Sequence, residues 1–274
     1  MALLGRKIAV SLPDTVLEDK ESLREKTAKL GVIARACAIY GVDVIEVFSD
    51  PKSRGEEKTV RKVLEYLETP QYLRRRLFPL DEELRYAGML PPLRIPSHKA
   101  KIPADRLPVG EVREGVVNED GTVDIGLDVV PKLRQKSSAG KRVTVKVASL
   151  RPPLADLIPR ERAGPYWGYT VETRTVSEVL SDPRFRLRIA TSRLGTPLAD
   201  EMGPLMASLK GADGVKLIFG SPSRGLFDIV GPDLPHRVDH VVNFFPEQQV
   251  ETVRTEEAIF VSLGVVSLLS AEKA

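Results

Sequence analysis

A chain of 274 residues has room for one large domain or two smaller ones, and 42% hydrophobic with 29% charged residues describes a soluble globular protein of formal net charge +3. The longest apolar run, 258–269, is too short to cross a bilayer, and the opening residues carry no signal-peptide core, so the cytoplasm is the default location. A single cysteine, Cys37, excludes an internal disulfide, and with only three histidines in the chain no metal site is expected.

Residues 6–11 read as a buried strand entering a loop at Pro13. Residues 22–40 read as a helix: Leu23, Leu30, Ile33, Ala34 and Cys37 give it an apolar face, and Gly41 stops it. A second buried strand follows at 42–48 and a second amphipathic helix at 56–67. Strand, helix, strand, helix predicts an α/β fold on a parallel sheet.

The pattern then changes. Between positions 90 and 165 lie ten prolines and no helical periodicity. Residues 109–117, 122–127 and 142–147 alternate as antiparallel strands, with Asn118-Glu-Asp-Gly121 as a hairpin turn. Short strands with Gly and Pro turns over about 70 residues predict a small all-β barrel of the OB type. Residues 91–163 carry 14 Lys/Arg against 9 Asp/Glu, so this segment is basic while the rest of the chain is slightly acidic. A basic module in a near-neutral scaffold suits a polyanion, nucleic acid first.

After Tyr166 the βα alternation returns. A helix is expected at 175–180 and a strand at 187–190, ending in Thr191-Ser-Arg-Leu-Gly195. A helix at 203–209 and a strand at 214–219 follow, the latter ending in Gly220-Ser-Pro-Ser-Arg-Gly225. A strand at 240–243 runs into a polar loop, and an apolar helix closes the chain. The expected organisation is one α/β domain, 1–90 plus 164–274, interrupted by a β insert at 91–163.

The polar loop is the densest signal. The chain has two Asn and four Gln in all, and Asn243, Gln248 and Gln249 lie in this one stretch. At its end Thr255 is placed to cap the helix, and Glu256 and Glu257 suit the positive helix end. Three C-terminal strands thus end in polar loops, and the carboxyl ends of neighbouring parallel strands form the edge where ligands bind. Small residues there let backbone groups reach a ligand. The loops hold no GxGxxG, no GxxxxGK[ST] and no GxSxG. A ligand held by backbone, without a phosphate loop or metal, leaves few candidates, and S-adenosylmethionine is one.

Three motifs in order carry a family resemblance: Thr191-Ser192-x-x-Gly195, Phe219-Gly220-x-x-x-x-Gly225-Leu226, and Asn243-x-x-Pro246-x-Gln248-x-x-x-Thr252-Val-Arg-Thr-Glu-Glu-Ala258. Lys7-Ile-Ala-Val-Ser-Leu-Pro13 and Tyr166-Trp-Gly-Tyr169 fit as well. The sequence resembles the SPOUT superfamily of RNA methyltransferases, and within it the archaeal and eukaryotic RNA uridine N3-methyltransferases, in which an OB-like domain interrupts the SPOUT domain. The resemblance implies a C-terminal trefoil knot, a homodimer with the cofactor pocket beside its interface, and S-adenosylmethionine as methyl donor. It assigns the cofactor to Thr191, Ser192 and Gly195 in the first loop and to Gly220 and Ser221 in the second. In the third loop it assigns Asn243, Phe244, Pro246, Gln248, Thr252, Val253 and Arg254. The family's first loop often carries Glu-Arg between Thr-Ser and Gly; here the pair is Arg193-Leu194.

Methyl transfer to uracil N3 needs alignment, loss of the N3 proton, and a cation for charge developing on the ring oxygens. Arg254 offers the cation or a fork for the cofactor carboxylate, Glu257 or Glu256 offers a base, and Arg193 offers a contact to the base or to phosphate. Helix-start duty accounts equally for both Glu. His236, in Asp233-Leu-Pro-His236, reads as part of a surface turn. For RNA phosphates the candidates are Arg74, Arg75 and Arg76 before the insert, and Lys132, Arg134, Lys136, Lys141 and Arg142 within it. The insert has almost no aromatic residues for base stacking, so a structured RNA held by its backbone is the expected partner, and the family resemblance implies that this RNA is ribosomal. An assembly factor on the same scaffold and a ribose 2′-O-methyltransferase remain open beside the uridine N3 reading.

Overall fold

The computed structural model describes residues 6–51, 55–103 and 106–271. The opening residues 1–5, on which the absence of a signal peptide was read, lie outside them. The chain divides into two compact units: Met1–Glu68, Asp81–Leu93 and Tyr169–Ala274 form the larger, and Thr69–Leu80 with Arg94–Gly168 form the smaller.

The larger unit is built on a six-stranded parallel sheet. Its strands are β1 (Lys7–Pro13), β2 (Val44–Phe48), β8 (Thr170–Arg174), β9 (Leu187–Pro197), β10 (Gly214–Ile218) and β11 (His240–Asn243), in the order β11-β9-β10-β1-β2-β8. Every residue of β2 and β10 is buried, so both faces of the sheet are covered, as an all-parallel sheet requires. Helix α1 (Leu23–Ile39) begins with a capping box, Ser22 accepting from the Glu25 N–H while Glu25 accepts from the Ser22 N–H. It stops at Gly41, whose φ of 69° suits a residue without Cβ. Helix α2 (Glu57–Glu68) buries Val60, Val63, Leu64 and Leu67, one helical stripe. Three charged or polar residues lie buried on the central strands: Lys216 on β10 reaches Glu46 on β2 at 2.8 Å, and Ser11 on β1 donates to Glu46 at 2.6 Å. A buried cation, carboxylate and hydroxyl satisfy one another across three neighbouring strands.

The remaining helices of this unit are α4 (Val176–Ser181), α5 (Leu198–Gly211), α6 (Leu226–Val230), α7 (Leu234–Arg237) and α8 (Thr255–Ala271). Helix α8 buries Ile259, Ser262, Leu263, Val266 and Leu269, and Phe260 meets Tyr40 edge-on at 6.2 Å. Its first turn is capped by Glu257, whose carboxylate accepts from the Arg254 N–H at 3.0 Å, rather than by a Thr255 hydroxyl. Among the described residues no helix is long and apolar enough to cross a membrane.

Two differences from the sequence reading matter. The strand expected at 187–190 continues to Pro197. In the β9–β11 ladder Ala190 pairs with Val241 and Thr196 pairs with Val242, so residues 191–195 bulge out between two paired segments. Gly195 permits this: a Cβ there would stand 2.6 Å from the Val241 carbonyl oxygen. The edge strand β8 was missed, because Thr170-Val-Glu-Thr-Arg174 is half exposed and lacks a continuous apolar run.

The smaller unit holds β3 (Val112–Val117), β4 (Val123–Asp124), β5 (Lys132–Leu133), β6 (Arg142–Leu150), β7 (Pro153–Leu157) and the short helix α3 (Gln71–Leu77). The sheet order is β4-β3-β6-β7-β5, antiparallel except for the parallel β5–β7 pair. Its two outer strands also meet: Val123 donates to Pro131 O at 2.8 Å and Leu133 to Gly121 O at 3.1 Å. Leu107, Val117, Val123, Ile125, Leu127, Leu133, Val145, Val147 and Ala155 make its core. The strand expected at 122–127 shrinks to two residues, because the Asp124 carboxylate accepts from the Gly126 N–H and Gly126 turns with φ of 74°.

Candidate functional site

The bulge in β9 and the carboxyl ends of β10 and β11 deliver three segments to one pocket of about 360 Å³ in the larger unit. Thr191, Ser192, Arg193 and Leu194 come from the bulge in β9. Phe219, Gly220, Ser221, Pro222, Ser223 and Gly225 come from the loop after β10, and Phe227 and Asp228 from α6. The end of β11 contributes Val242 and Asn243, the segment after it Phe244, Phe245, Gln248, Glu251, Thr252 and Val253, and α8 adds Thr255, Ala258 and Ser262. Phe219, Val242, Phe244, Thr255 and Ser262 are buried, whereas Arg193, Leu194, Ser223, Asp228, Glu251 and Thr252 are exposed. The pocket therefore grades from a polar rim to a mostly apolar interior.

Each loop is fixed by its own hydrogen bonds. Thr191 Oγ1 donates to Ile218 O at 3.1 Å, tying the bulge to β10. Asn243 Nδ2 donates to Arg193 O at 3.1 Å while its Oδ1 accepts from the Phe245 N–H at 2.9 Å, so one amide holds two loops. Gln248 Nε2 donates to the carbonyls of Val250 and Glu251 at 2.9 and 3.1 Å, folding the third loop on itself. A Cβ on Gly220 would approach Arg224 O to 2.8 Å, so the second loop closes too tightly for any side chain there.

The second loop has an anchor 203 residues away in sequence. Glu18, between β1 and α1, accepts from Ser221 Oγ at 2.5 Å, Ser223 Oγ at 2.7 Å and the Ser223 N–H at 3.0 Å. Partial burial would raise the Glu18 carboxyl, but the hydrogen bonds from Ser221 and Ser223 outweigh it and hold the group below its ordinary value. Arg224 in the same loop pairs with Asp50 at the end of β2. Sequence reading had no signal for Glu18, since nothing local marks a carboxylate whose partners lie at the far end of the chain.

Of the residues expected at a cofactor site, Thr191, Ser192, Gly220, Ser221, Asn243, Phe244, Gln248, Thr252 and Val253 line the pocket. Gly195 stands behind the bulge against β11, and neither Pro246 nor Arg254 is among the lining residues. Of the three residues named for catalysis, Arg193 lines the rim, with Nη1 donating to Glu251 O at 3.5 Å. Arg254 and Glu257 do not line it, and the Glu257 carboxylate is occupied as the helix cap. Glu256 is buried 3.3 Å from Lys29 of α1. The charged lining groups are Arg193, Asp228 and Glu251, one cation against two carboxylates. Such a wall repels a polyphosphate and accepts a ligand carrying positive charge. Among the described residues no group of three or more His, Cys, Asp or Glu is placed to hold a metal ion.

The basic residues named for RNA all fall in the smaller unit, and they divide into two sets. Arg134 forms a bidentate pair with Asp156, Arg76 lies 3.5 Å from Asp124, and Arg74 Nε donates to Thr69 O at 2.9 Å. Arg142 Nε donates to the buried Glu114 at 2.7 Å, where Thr144 Oγ1 and Trp167 Nε1 also donate at 2.6 and 2.7 Å. Burial alone would raise the Glu114 carboxyl; the Arg142 charge and these hydrogen bonds hold it below the ordinary range instead. Arg75, Lys132, Lys136 and Lys141 are exposed. Lys141, Arg142, Arg160 and Ser137 border a cleft of about 360 Å³ over Glu114. Trp167 serves as packing and as a donor to Glu114 in this unit.

Known proteins resemble this chain over most of its length. A family model described as "Putative RNA methyltransferase" matches residues 7–266. An uncharacterized protein of Halobacterium salinarum is 36% identical over 95% of this chain and 98% of its own length. The 28S rRNA (uridine-N(3))-methyltransferase of Homo sapiens is 32% identical over 94% of this chain and 77% of its own, and the mouse enzyme of that name is 34% identical over 94% and 75%.

Proposed function

The chain belongs to that RNA methyltransferase family, and from this premise we propose that it methylates N3 of a uridine in ribosomal RNA with S-adenosylmethionine as donor. The observation that carries the reading is the convergence of the β9 bulge and two strand-end loops on one pocket with a buried apolar end, a hydroxyl-rich rim and no cluster of cations for phosphates. An adenosyl group suits the apolar end, and the net negative wall suits a sulfonium. The donor supplies a methyl group on positively charged sulfur, so the protein's task is positioning rather than activation. Arg193 at the rim is the lining residue fit to stabilise negative charge on the uracil oxygens or to hold a phosphate. Arg254 and Glu257 keep supporting parts in this proposal: Glu257 fixes the start of α8, and Arg254 closes the loop it ends.

The larger unit is read as the methyltransferase domain and the smaller as the RNA-binding insert of the OB type. Contact between the two outer strands of the small sheet supports a closed barrel. The β9 bulge and the helix that ends the chain are the parts a trefoil knot would use, and exposed Val261 and Leu268 on α8 suit burial against a second copy. Arg75, Lys132, Lys136 and Lys141 are the exposed cations best placed to neutralise RNA phosphates in the cytoplasm. Titration calorimetry with S-adenosylmethionine tests the pocket: one site per chain is expected. Absence of binding, at ligand concentrations up to the millimolar range, would sink the enzyme reading.

A further inference from the structure

Ser262 is the unexplained residue of the pocket. It lies seven residues after Thr255 and four after Ala258, on the face of α8 that lines the site. Its side chain is wholly buried, and among the described residues its Oγ has no hydrogen-bond partner. A hydroxyl inside a helix ordinarily turns back to the carbonyl four residues earlier. Thr27 does so, donating to Leu23 O at 2.7 Å, and Ser181 donates to Ser177 O at 2.8 Å. Ser262 makes no such bond. Its buried helix neighbours Ile259, Leu263 and Val266 are all apolar, so packing alone would be served by alanine. A buried hydroxyl left without a partner destabilises a fold, and its presence calls for a compensating role.

The pocket supplies one. Resting on the reading of this pocket as the S-adenosylmethionine site, we propose that Ser262 is a ligand-binding residue whose hydroxyl hydrogen-bonds the edge of the adenine ring. Buried Phe219, Val242 and Phe244 share that inner end of the pocket, and they favour a flat heteroring over the charged amino-acid end of the ligand. The exposed Ser223, Arg193 and Glu251 suit that charged end at the rim. A serine hydroxyl both donates and accepts, so it serves either a ring nitrogen or the exocyclic amine. The contact makes Ser262 a specificity residue as well. A purely apolar ring of the same shape would leave the hydroxyl unpaired and bind more weakly.

The role has a signature that a packing residue lacks: stability and affinity move in opposite directions. In the full-length chain, Ser262→Ala is expected to leave the thermal midpoint without ligand unchanged or raised, because the orphan hydroxyl is gone. The Kd for S-adenosylmethionine, and for S-adenosylhomocysteine, is expected to rise about 10-fold, the loss of one buried hydrogen bond. Ser262→Cys, near in size and a weak hydrogen-bonder, should fall between. A wild type that binds and a Ser262→Ala variant that binds within twofold of it would overturn the proposal. So would a lowered midpoint with affinity intact, the mark of a structural hydroxyl. A wild type that fails to bind at all would overturn the pocket reading itself, which separates the two failures.

Discussion

Glu18→Ala removes a carboxylate that touches no pocket surface yet accepts three hydrogen bonds from the pocket's second loop. A hydrogen bond to a charged group contributes about 1.5–3 kcal/mol when desolvated. Glu18 is largely exposed, so water replaces much of that, and about 0.5 kcal/mol for each bond is the better figure. The three together come to about 1.5 kcal/mol. The fold outside the loop keeps its other anchor, the Arg224–Asp50 pair, so global stability should hold. The loss appears as loop order that the ligand must restore, which converts to a roughly 10-fold higher Kd for S-adenosylmethionine. Calorimetry on wild type, Glu18→Ala and Glu18→Gln measures it, with Glu18→Gln intermediate because its amide oxygen still accepts. A Ser221→Ala/Ser223→Ala background should shrink the effect of Glu18→Ala to about 0.5 kcal/mol, because only the bond from the Ser223 N–H then remains. Unchanged affinity in Glu18→Ala, or a full effect in that background, would refute the reasoning.

Three further outcomes follow from the same structure. Gly195→Ala places a Cβ 2.6 Å from a β11 carbonyl that cannot yield, so it should cost about 2 kcal/mol in urea unfolding and open the β9 bulge, and equal stability would contradict the register described. Glu114→Gln leaves the Arg142 charge without its carboxylate and should cost about 2 kcal/mol at neutral pH. Because the folded carboxyl lies below its ordinary value of 4.5, its contribution is present above that pH and lost as pH falls through the folded value. The gap between wild type and Glu114→Gln should therefore narrow as pH falls below 4.5, and a gap that widens there is the wrong sign. Lys136→Ala and Lys141→Ala should each flatten the salt dependence of RNA binding by about 0.7–0.9 in slope while leaving S-adenosylmethionine affinity alone; an unaltered slope would remove them from the interface.

The parallel strands β1, β2, β10 and β11 were legible because buried parallel strands read as short apolar runs between turn residues. The polar segments at residues 191–195 and after β10 and β11 were legible because Gly, Ser, Asn and Pro punctuate those runs, although the first proved to be a bulge within β9. What was hidden has a common physical cause. Strands such as β5 and β7, two and five residues of mixed polarity, are defined by their partners rather than by their own periodicity. Lys216 and Glu46 look like surface residues until the fold places them 2.8 Å apart in the sheet. Glu18 reaches the pocket across 203 residues. Ser262 reads as a small interruption in an apolar helix until its face is known. Arg134 and Arg142 were named from local charge, yet carboxylates 22 and 28 residues away in sequence pair with them in the fold.

The central claim is that this chain transfers a methyl group to uridine N3. Ribosomal RNA purified from cells that lack the protein, incubated with it and S-adenosylmethionine, then digested to nucleosides and weighed by mass spectrometry, tests this directly. The account predicts 3-methyluridine that appears with the wild type and is reduced with Ser262→Ala at limiting donor. A new ribose 2′-O-methyl mark without 3-methyluridine, or no methylated nucleoside at all, would contradict it.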